Sequence, residues 1–191
     1  MKKILIGTHN SGKFKEISYL LLKKTRKISP KKLKIKSPKE TGKTFGENAK
    51  LKANYFYNFS KLPVISDDSG LCIEALNGKP GIHSARWAKK YGSFSKAMKI
   101  ILKKMKNKKN RSALFVCSLS FKRPRKKAIN STGKIKGTIA YKMIGNKGFG
   151  YDPIFIPQSK SITFGQMKKK EKIKMDHRYF AFKNLKKKIR I

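Results

Sequence analysis

Short apolar runs alternate with helix-spaced apolar stripes from Lys3 to the end of the chain, and no linker or repeat separates them. Residues 3–8 read as a short buried strand, followed by a helix from about Ser11 to Lys24. Leu33–Lys36 is a candidate second strand. Phe45, Ala49, Ala53 and Phe56 mark one face of a helix over about 45–58. Leu62–Ser66 and Leu71–Ala75 read as strands flanking Asp67-Asp68-Ser69-Gly70, and Asn77–Gly81 as a turn. Phe94, Ala97, Met98, Ile101 and Met105 predict a helix over 93–106. Ser112–Lys122 and Lys126–Lys136 suggest an antiparallel pair joined at Arg123-Pro124-Arg125. Pro153–Pro157 is a further apolar run, and Phe182, Leu185 and Ile189 mark a C-terminal helix. This mixture predicts an α/β or α+β fold with a mixed sheet, in one domain over residues 1–191.

Composition narrows the class. The chain of 191 residues carries 50 Lys+Arg against 9 Asp+Glu, a formal charge of +41. No apolar run approaches the ~18 residues of a spanning helix, and the apolar stretch at the N-terminus is short for a signal peptide. A cytoplasmic protein with no membrane association is expected. Cys72 and Cys117 lie far apart without a CxxC pair, which excludes a disulfide scaffold or thiolate zinc site.

So large a charge points first to a polyanion, and nonspecific nucleic-acid binding follows from it. The cations are 43 Lys and only 7 Arg, spread over the whole chain. Nucleic-acid readers favour Arg at specific contacts and concentrate charge on one face. Drift towards AT-rich codons would write the same composition. The minority sign is therefore the sharper signal. The nine acids are Glu16, Glu40, Glu47, Asp67, Asp68, Glu74, Asp152, Glu171 and Asp176. Acids that survive on such a surface are enriched for tasks Lys cannot perform: metal ligation, proton abstraction, capping and buried pairing.

Gly7-Thr8-His9-Asn10-Ser11-Gly12-Lys13 has the G-x-x-x-x-G-K outline of a P-loop between a strand and a helix. The next residue is Phe14 rather than the Ser or Thr that would bind magnesium, so a P-loop NTPase is rejected. A glycine-containing loop, hydroxyl and amide side chains, a helix N-terminus and Lys13 still suit a phosphate chain. An ordinary N-cap with surface lysines is the plainer reading. Thr44 and Glu47 form a capping box, which accounts for Glu47. Glu40 precedes that helix with no capping role, and Lys52 sits beside its apolar stripe.

Asp67-Asp68 places two carboxylates side by side, which repel unless a cation or proton intervenes. A magnesium ion held by one or two carboxylates and phosphate oxygens would explain them, and so would a simple Asp-rich turn. Alternation along a strand lets only one of the two face a ligand. Gly148-Phe149-Gly150-Tyr151-Asp152-Pro153 is either a base-stacking platform or a packed turn. Asp176 is the expected N-cap of the last helix, with His177 and Arg178 at its first turn.

Taken in order, T-x-N-x-x-K (Thr8, Asn10, Lys13), T-G-x-T-F-x-E-N-A-x-x-K-A (Thr41–Ala53), D-D-S-G-L (Asp67–Leu71), G-x-P-G-x-x-S-A-R (Gly78–Arg86), G-F-G-Y-D-P (Gly148–Pro153) and H-R (His177, Arg178) resemble the inosine triphosphate pyrophosphatase family. Each piece is weak alone; six in order are specific. The resemblance implies an elongated mixed α/β fold in two lobes with a central substrate cleft, as a homodimer. It implies magnesium-dependent hydrolysis of ITP, dITP and XTP, purine nucleoside triphosphates, to monophosphate and pyrophosphate. Carried over by position, Thr8, His9, Asn10, Ser11, Gly12 and Lys13 would hold the phosphate chain. Glu40 and Asp68 would serve the metal, with Asp68 also the catalytic proton acceptor. Ser69, Lys52 and Lys172 would contact substrate. Phe149, Gly150, Tyr151 and Asp152 would bind the nucleoside, Phe149 by stacking, and His177 and Arg178 would face the 6-keto edge. Asp176 departs from the Ser common in the family, and His83 from the Tyr. Two other readings compete: a Maf-like nucleotide pyrophosphatase, and a basic nucleic-acid-binding protein without enzymatic activity.

Overall fold

The computed structural model describes residues 3–189. Its strands are β1 (Lys3–Ile6), β2 (Arg26–Ile28), β3 (Val64–Ile73), β4 (Ser112–Lys122), β5 (Ile129–Ile139) and β6 (Phe155–Pro157). Its helices are α1 (Ser11–Leu20), α2 (Phe45–Ser60), α3 (Ser84–Lys90), α4 (Phe94–Met105), α5 (Lys169–Lys172) and α6 (His177–Ile189). One six-stranded sheet has the order β2-β1-β3-β4-β5-β6. β1 runs parallel to β2 and to β3, and β5 antiparallel to β6, so the sheet is mixed, as expected. Ser118 meets Thr132 and Arg111 meets Ile139, so β4 and β5 run in opposite directions.

The chain divides into two compact units. The first takes the residues up to Asp68, Cys117–Gly133 and those from Arg178 onward; the second takes Ser69–Val116 and Lys134–His177. In the first unit, Ile6, Ile17, Ile65, Leu119 and Ala181 pack into one core. A second cluster there joins Leu5 and Val64 to the apolar face of α2 through Ala53 and Phe56. In the second unit the stripe of α4, Ala97, Met98, Ile101 and Met105, is buried against Leu71, Phe115 and Phe155. Burying such side chains contributes roughly 1.5–3 kcal/mol each.

Three expectations need correction. The segment Leu33–Lys36 is no strand. Ser29 accepts the Lys32 amide and Pro30 opens a 3₁₀ turn, while the second strand is Arg26–Ile28. Asp67-Asp68-Ser69-Gly70 is not a turn between two strands but the middle of the single strand β3. The first helix stops at Leu20, because Leu21 takes an extended backbone. The capping box holds in modified form. Thr44 Oγ1 accepts the Glu47 amide at 3.1 Å, and Glu47 reaches back to the Lys43 amide at 2.7 Å.

Candidate active site

In the first unit the β1–α1 loop is drawn tightly onto the sheet. The Gly7 amide donates to the Ile65 carbonyl at 2.8 Å. A Cβ at Gly7 would lie 2.1 Å from Ser66 Oγ and 2.6 Å from the Phe56 ring, so only glycine fits this approach. Thr8 Oγ1 then accepts the Asn10 amide at 3.2 Å, and Asn10 Oδ1 caps α1 by accepting the Lys13 amide at 3.0 Å. Ser11 and Gly12 form the helix start, and exposed His9 shares a 2.7 Å hydrogen bond between Nδ1 and Ser37 Oγ. Asn10 is a true N-cap, as the plainer sequence reading has it, and the loop leads into the N-terminus of α1. Lys13 does not extend into solvent; its Nζ lies 3.2 Å from Asp67 Oδ2.

Alternation along β3 sends the two aspartates to different partners. Asp67 Oδ2 receives Lys13 and, at 3.3 Å, Arg178 Nη2. Asp68 Oδ2 accepts from Asn48 Nδ2 at 3.1 Å, and its Oδ1 lies 3.8 Å from Lys52 Nζ. Asn48 and Lys52 are both buried on α2, one turn apart, so a polar flank runs beside the apolar face. Lys52 Nζ also donates to Glu40 Oε1 at 2.5 Å.

Burial opposes ionisation throughout this cluster, and local charge decides the outcome. Burial pushes the Asp68 carboxyl up; Lys52 and Lys13 resist, while Glu40 and Asp67 add to the rise. Burial also works against a charged Asp67, but Lys13, Arg178 and Lys52 outweigh it and hold that carboxyl well below the usual range. For Lys52, desolvation is overcome by Asp68, Asp67 and Glu40, so its ammonium is held above its ordinary value.

The Lys52 ammonium stands where two carboxylates already converge on a cation, which suits Glu40 and Asp68 to a divalent ion. Among the described residues no group of three or more His, Cys, Asp or Glu side chains could hold a metal. A hard ion there would need its remaining oxygens from a ligand or water, the usual habit of magnesium with phosphates.

In the second unit Asp152 organises the glycine-aromatic segment. Its Oδ2 accepts the Phe149 amide at 2.8 Å and Lys172 Nζ at 2.6 Å. Lys172, buried in α5, lies 4.9 Å from the centre of the half-buried Phe149 ring. Tyr151 is core material: its hydroxyl donates to the Ser84 carbonyl at 2.9 Å and its ring meets Phe94 edge-on. Buried His177 stacks on Phe115, ring centres 4.8 Å apart and planes inclined by 10°. The segment is thus a packed turn around Asp152 and Tyr151 that also presents one aromatic ring beside a cation.

Arg178 is fully buried in the first unit, its Nη1 on Glu16 and its Nη2 on Asp67. The structure therefore connects Lys13, Asp67, Arg178 and Glu16 as one set, and Glu40, Lys52, Asp68 and Asn48 as another. In the second unit it connects Phe149, Asp152 and Lys172. Ser69 follows Asp68 in β3, half-buried. Sequence reasoning missed partner roles for Glu16, Asn48, Asp67 and Phe115. Glu16 was marked only by being an acid in a lysine-rich chain, Asp67 also by its place beside Asp68, and Asn48 by its four-residue spacing from Lys52.

Comparison with known proteins identifies the family to which the chain belongs. The sequence model of the Ham1 family matches residues 4–188. The chain is 40% identical over 186 residues to a dITP/XTP pyrophosphatase of Caulobacter vibrioides, covering 96% of each chain. It is 41% identical over 189 residues to a dITP/XTP pyrophosphatase of Dictyoglomus thermophilum, covering 96% of this chain and 92% of that one. The Ham1 protein of Staphylococcus aureus superposes with a TM-score of 0.87 at 35% identity, covering 99% of this chain and 98% of its own.

Proposed function

The chain belongs to the Ham1 family, and on that premise we propose that it is a dITP/XTP pyrophosphatase, releasing pyrophosphate and the monophosphate from ITP, dITP and XTP. The observation that carries this reading is the convergence of Glu40 and Asp68 on the Lys52 ammonium: a cation-binding carboxylate pair beside a glycine loop and a helix N-terminus. A Maf-like enzyme is not favoured, since the Ham1 family matches almost the whole chain.

Within the first unit, the loop before α1 and the nearby lysines suit a phosphate chain. Amides of the Thr8–Lys13 loop and the N-terminus of α1 attract anionic oxygens, and Lys13 and Lys52 balance their charge. Asp68 orients the water that attacks the α-phosphorus and takes its proton, as pyrophosphate leaves with the bond electrons. Burial raises its proton affinity, which improves it as a base, while the neighbouring Lys52 and Lys13 ammoniums favour its ionised form. Glu40 and Asp68 would hold a magnesium ion, which when bound neutralises triphosphate charge. Within the second unit, Phe149 offers a stacking face for a base, Asp152 holds the Phe149 backbone and Lys172, and His177 offers a ring donor to a 6-keto oxygen. Adenine carries an amino group there, and a site built around donors rejects such a mismatch by as much as ~10⁴.

Homodimer formation and a cytoplasmic location belong to the same reading; sedimentation at micromolar concentration tests the former. The +41 charge adds a nonspecific affinity for nucleic acid that falls steeply with salt. Purified protein assayed on ITP, XTP, dITP, GTP and ATP, with and without magnesium, tests the function. Fast pyrophosphate release from ITP, XTP and dITP is expected, and comparable rates on ATP would refute the base-reading role.

A further inference from the structure

Four charges in the first unit close a ring. Lys13 and Glu16 lie three residues apart on α1, a spacing that places them on one helix face. Lys13 Nζ reaches Asp67 Oδ2 on β3 at 3.2 Å; the same oxygen receives Arg178 Nη2 at 3.3 Å, from the first turn of α6. Arg178 Nη1 returns to Glu16 on α1. The signs alternate, Lys13, Asp67, Arg178, Glu16, and sum to zero. Arg178 and Asp67 are fully buried, and Glu16 nearly so. Lys13 is the most accessible member, with 15% of its side chain exposed.

We propose that Asp67 is a positioning residue that couples Lys13 to Arg178, through the single carboxylate oxygen that both cations share. This rests on the reading of Lys13 as a phosphate-side group. A phosphate oxygen that engages the Lys13 ammonium withdraws positive charge from Asp67 Oδ2. The carboxylate then interacts more strongly with the other cation on that oxygen, Arg178. Occupation of the phosphate end is thereby transmitted to the guanidinium, without any contact between that ligand and Arg178. Low effective dielectric makes the transfer strong, because solvent cannot replace the lost charge.

The test uses nitrogen-15 NMR of the Lys and Arg side chains in the full-length protein, with magnesium pyrophosphate as the probe. Pyrophosphate is expected to shift both the Lys13 Nζ and the Arg178 guanidinium resonances. In Asp67→Asn the Lys13 shift persists and the Arg178 shift is lost. A shift at Lys13 with Arg178 unmoved in the wild-type protein overturns the coupling while leaving the phosphate site intact. No binding of pyrophosphate overturns the coupling and the phosphate-site reading together. A mutant cycle checks the result without relying on the folding of Asp67→Asn. Lys13→Met and Arg178→Lys should be non-additive in kcat/KM for ITP, the double variant about tenfold better than the product of the single losses. Strict multiplicativity contradicts the shared-oxygen link.

Discussion

The Lys52 ammonium donates to Glu40 Oε1 at 2.5 Å, and so binds α2 to the loop that precedes it. The same nitrogen lies 3.8 Å from Asp68 Oδ1. One buried cation thus keeps two carboxylates from repelling each other, and removing it exposes what that costs.

Lys52→Met should destabilise the protein by about 2 kcal/mol. That is below the ~3–5 kcal/mol of a fully buried pair, since Glu40 is part-exposed to water. A divalent cation should then recover part of the loss. Thermal melts with and without millimolar magnesium check this: the magnesium-induced rise in Tm is expected to be larger in Lys52→Met than in the wild type. An equal or absent rise argues against the carboxylate pair as an ion site.

Asp68→Asn keeps the size of the side chain and removes its basicity. Turnover of ITP should fall by at least ~10²-fold with KM little changed, the mark of a group needed in the transition state. Circular dichroism establishes that the variant is folded. Near-normal kcat would remove Asp68 from the proton-accepting role.

His177→Ala removes a ring donor and one of the rings packed against Phe115. The ratio of kcat/KM for ITP over ATP should drop tenfold or more, a change of at least ~1.4 kcal/mol in discrimination. Loss of activity on both nucleotides in equal proportion would instead assign the ring a packing role.

Asp67 makes a signed prediction for acid stability. Its carboxyl is held well below the unfolded value, so its ionised form adds stability above the unfolded pKa near 4, and the contribution is lost as pH falls towards the folded value. Asp68 has the opposite sign, because its folded pKa is raised. Asp67→Asn should therefore lose less Tm than the wild type between pH 5 and 2 in metal-free buffer. Parallel curves would show that the Asp67 ion pairs contribute nothing to acid lability.

Legibility in the sequence followed the length over which each interaction acts. The stripe of α4 and the glycine loop before α1 are local patterns, and both were readable from spacing. β2 was not: Arg26-Lys27-Ile28 has one apolar residue, and only its pairing with Lys3, Ile4 and Leu5 makes it a strand. Polar residues inside β3 looked like a turn, because the cations that neutralise Asp67 and Asp68 come from α1, α2 and α6. Arg178 and Glu16 stand 162 residues apart, which no local pattern can link. The scarcity of acids marked both ends of such contacts without saying which cation each would meet.

Product analysis with ITP tests the central claim most directly. The protein with magnesium should yield IMP and pyrophosphate in equal amounts, at least ~10²-fold faster than it yields AMP from ATP, and a chelator should stop it. Release of orthophosphate with IDP, or equal rates on ITP and ATP, would contradict the account.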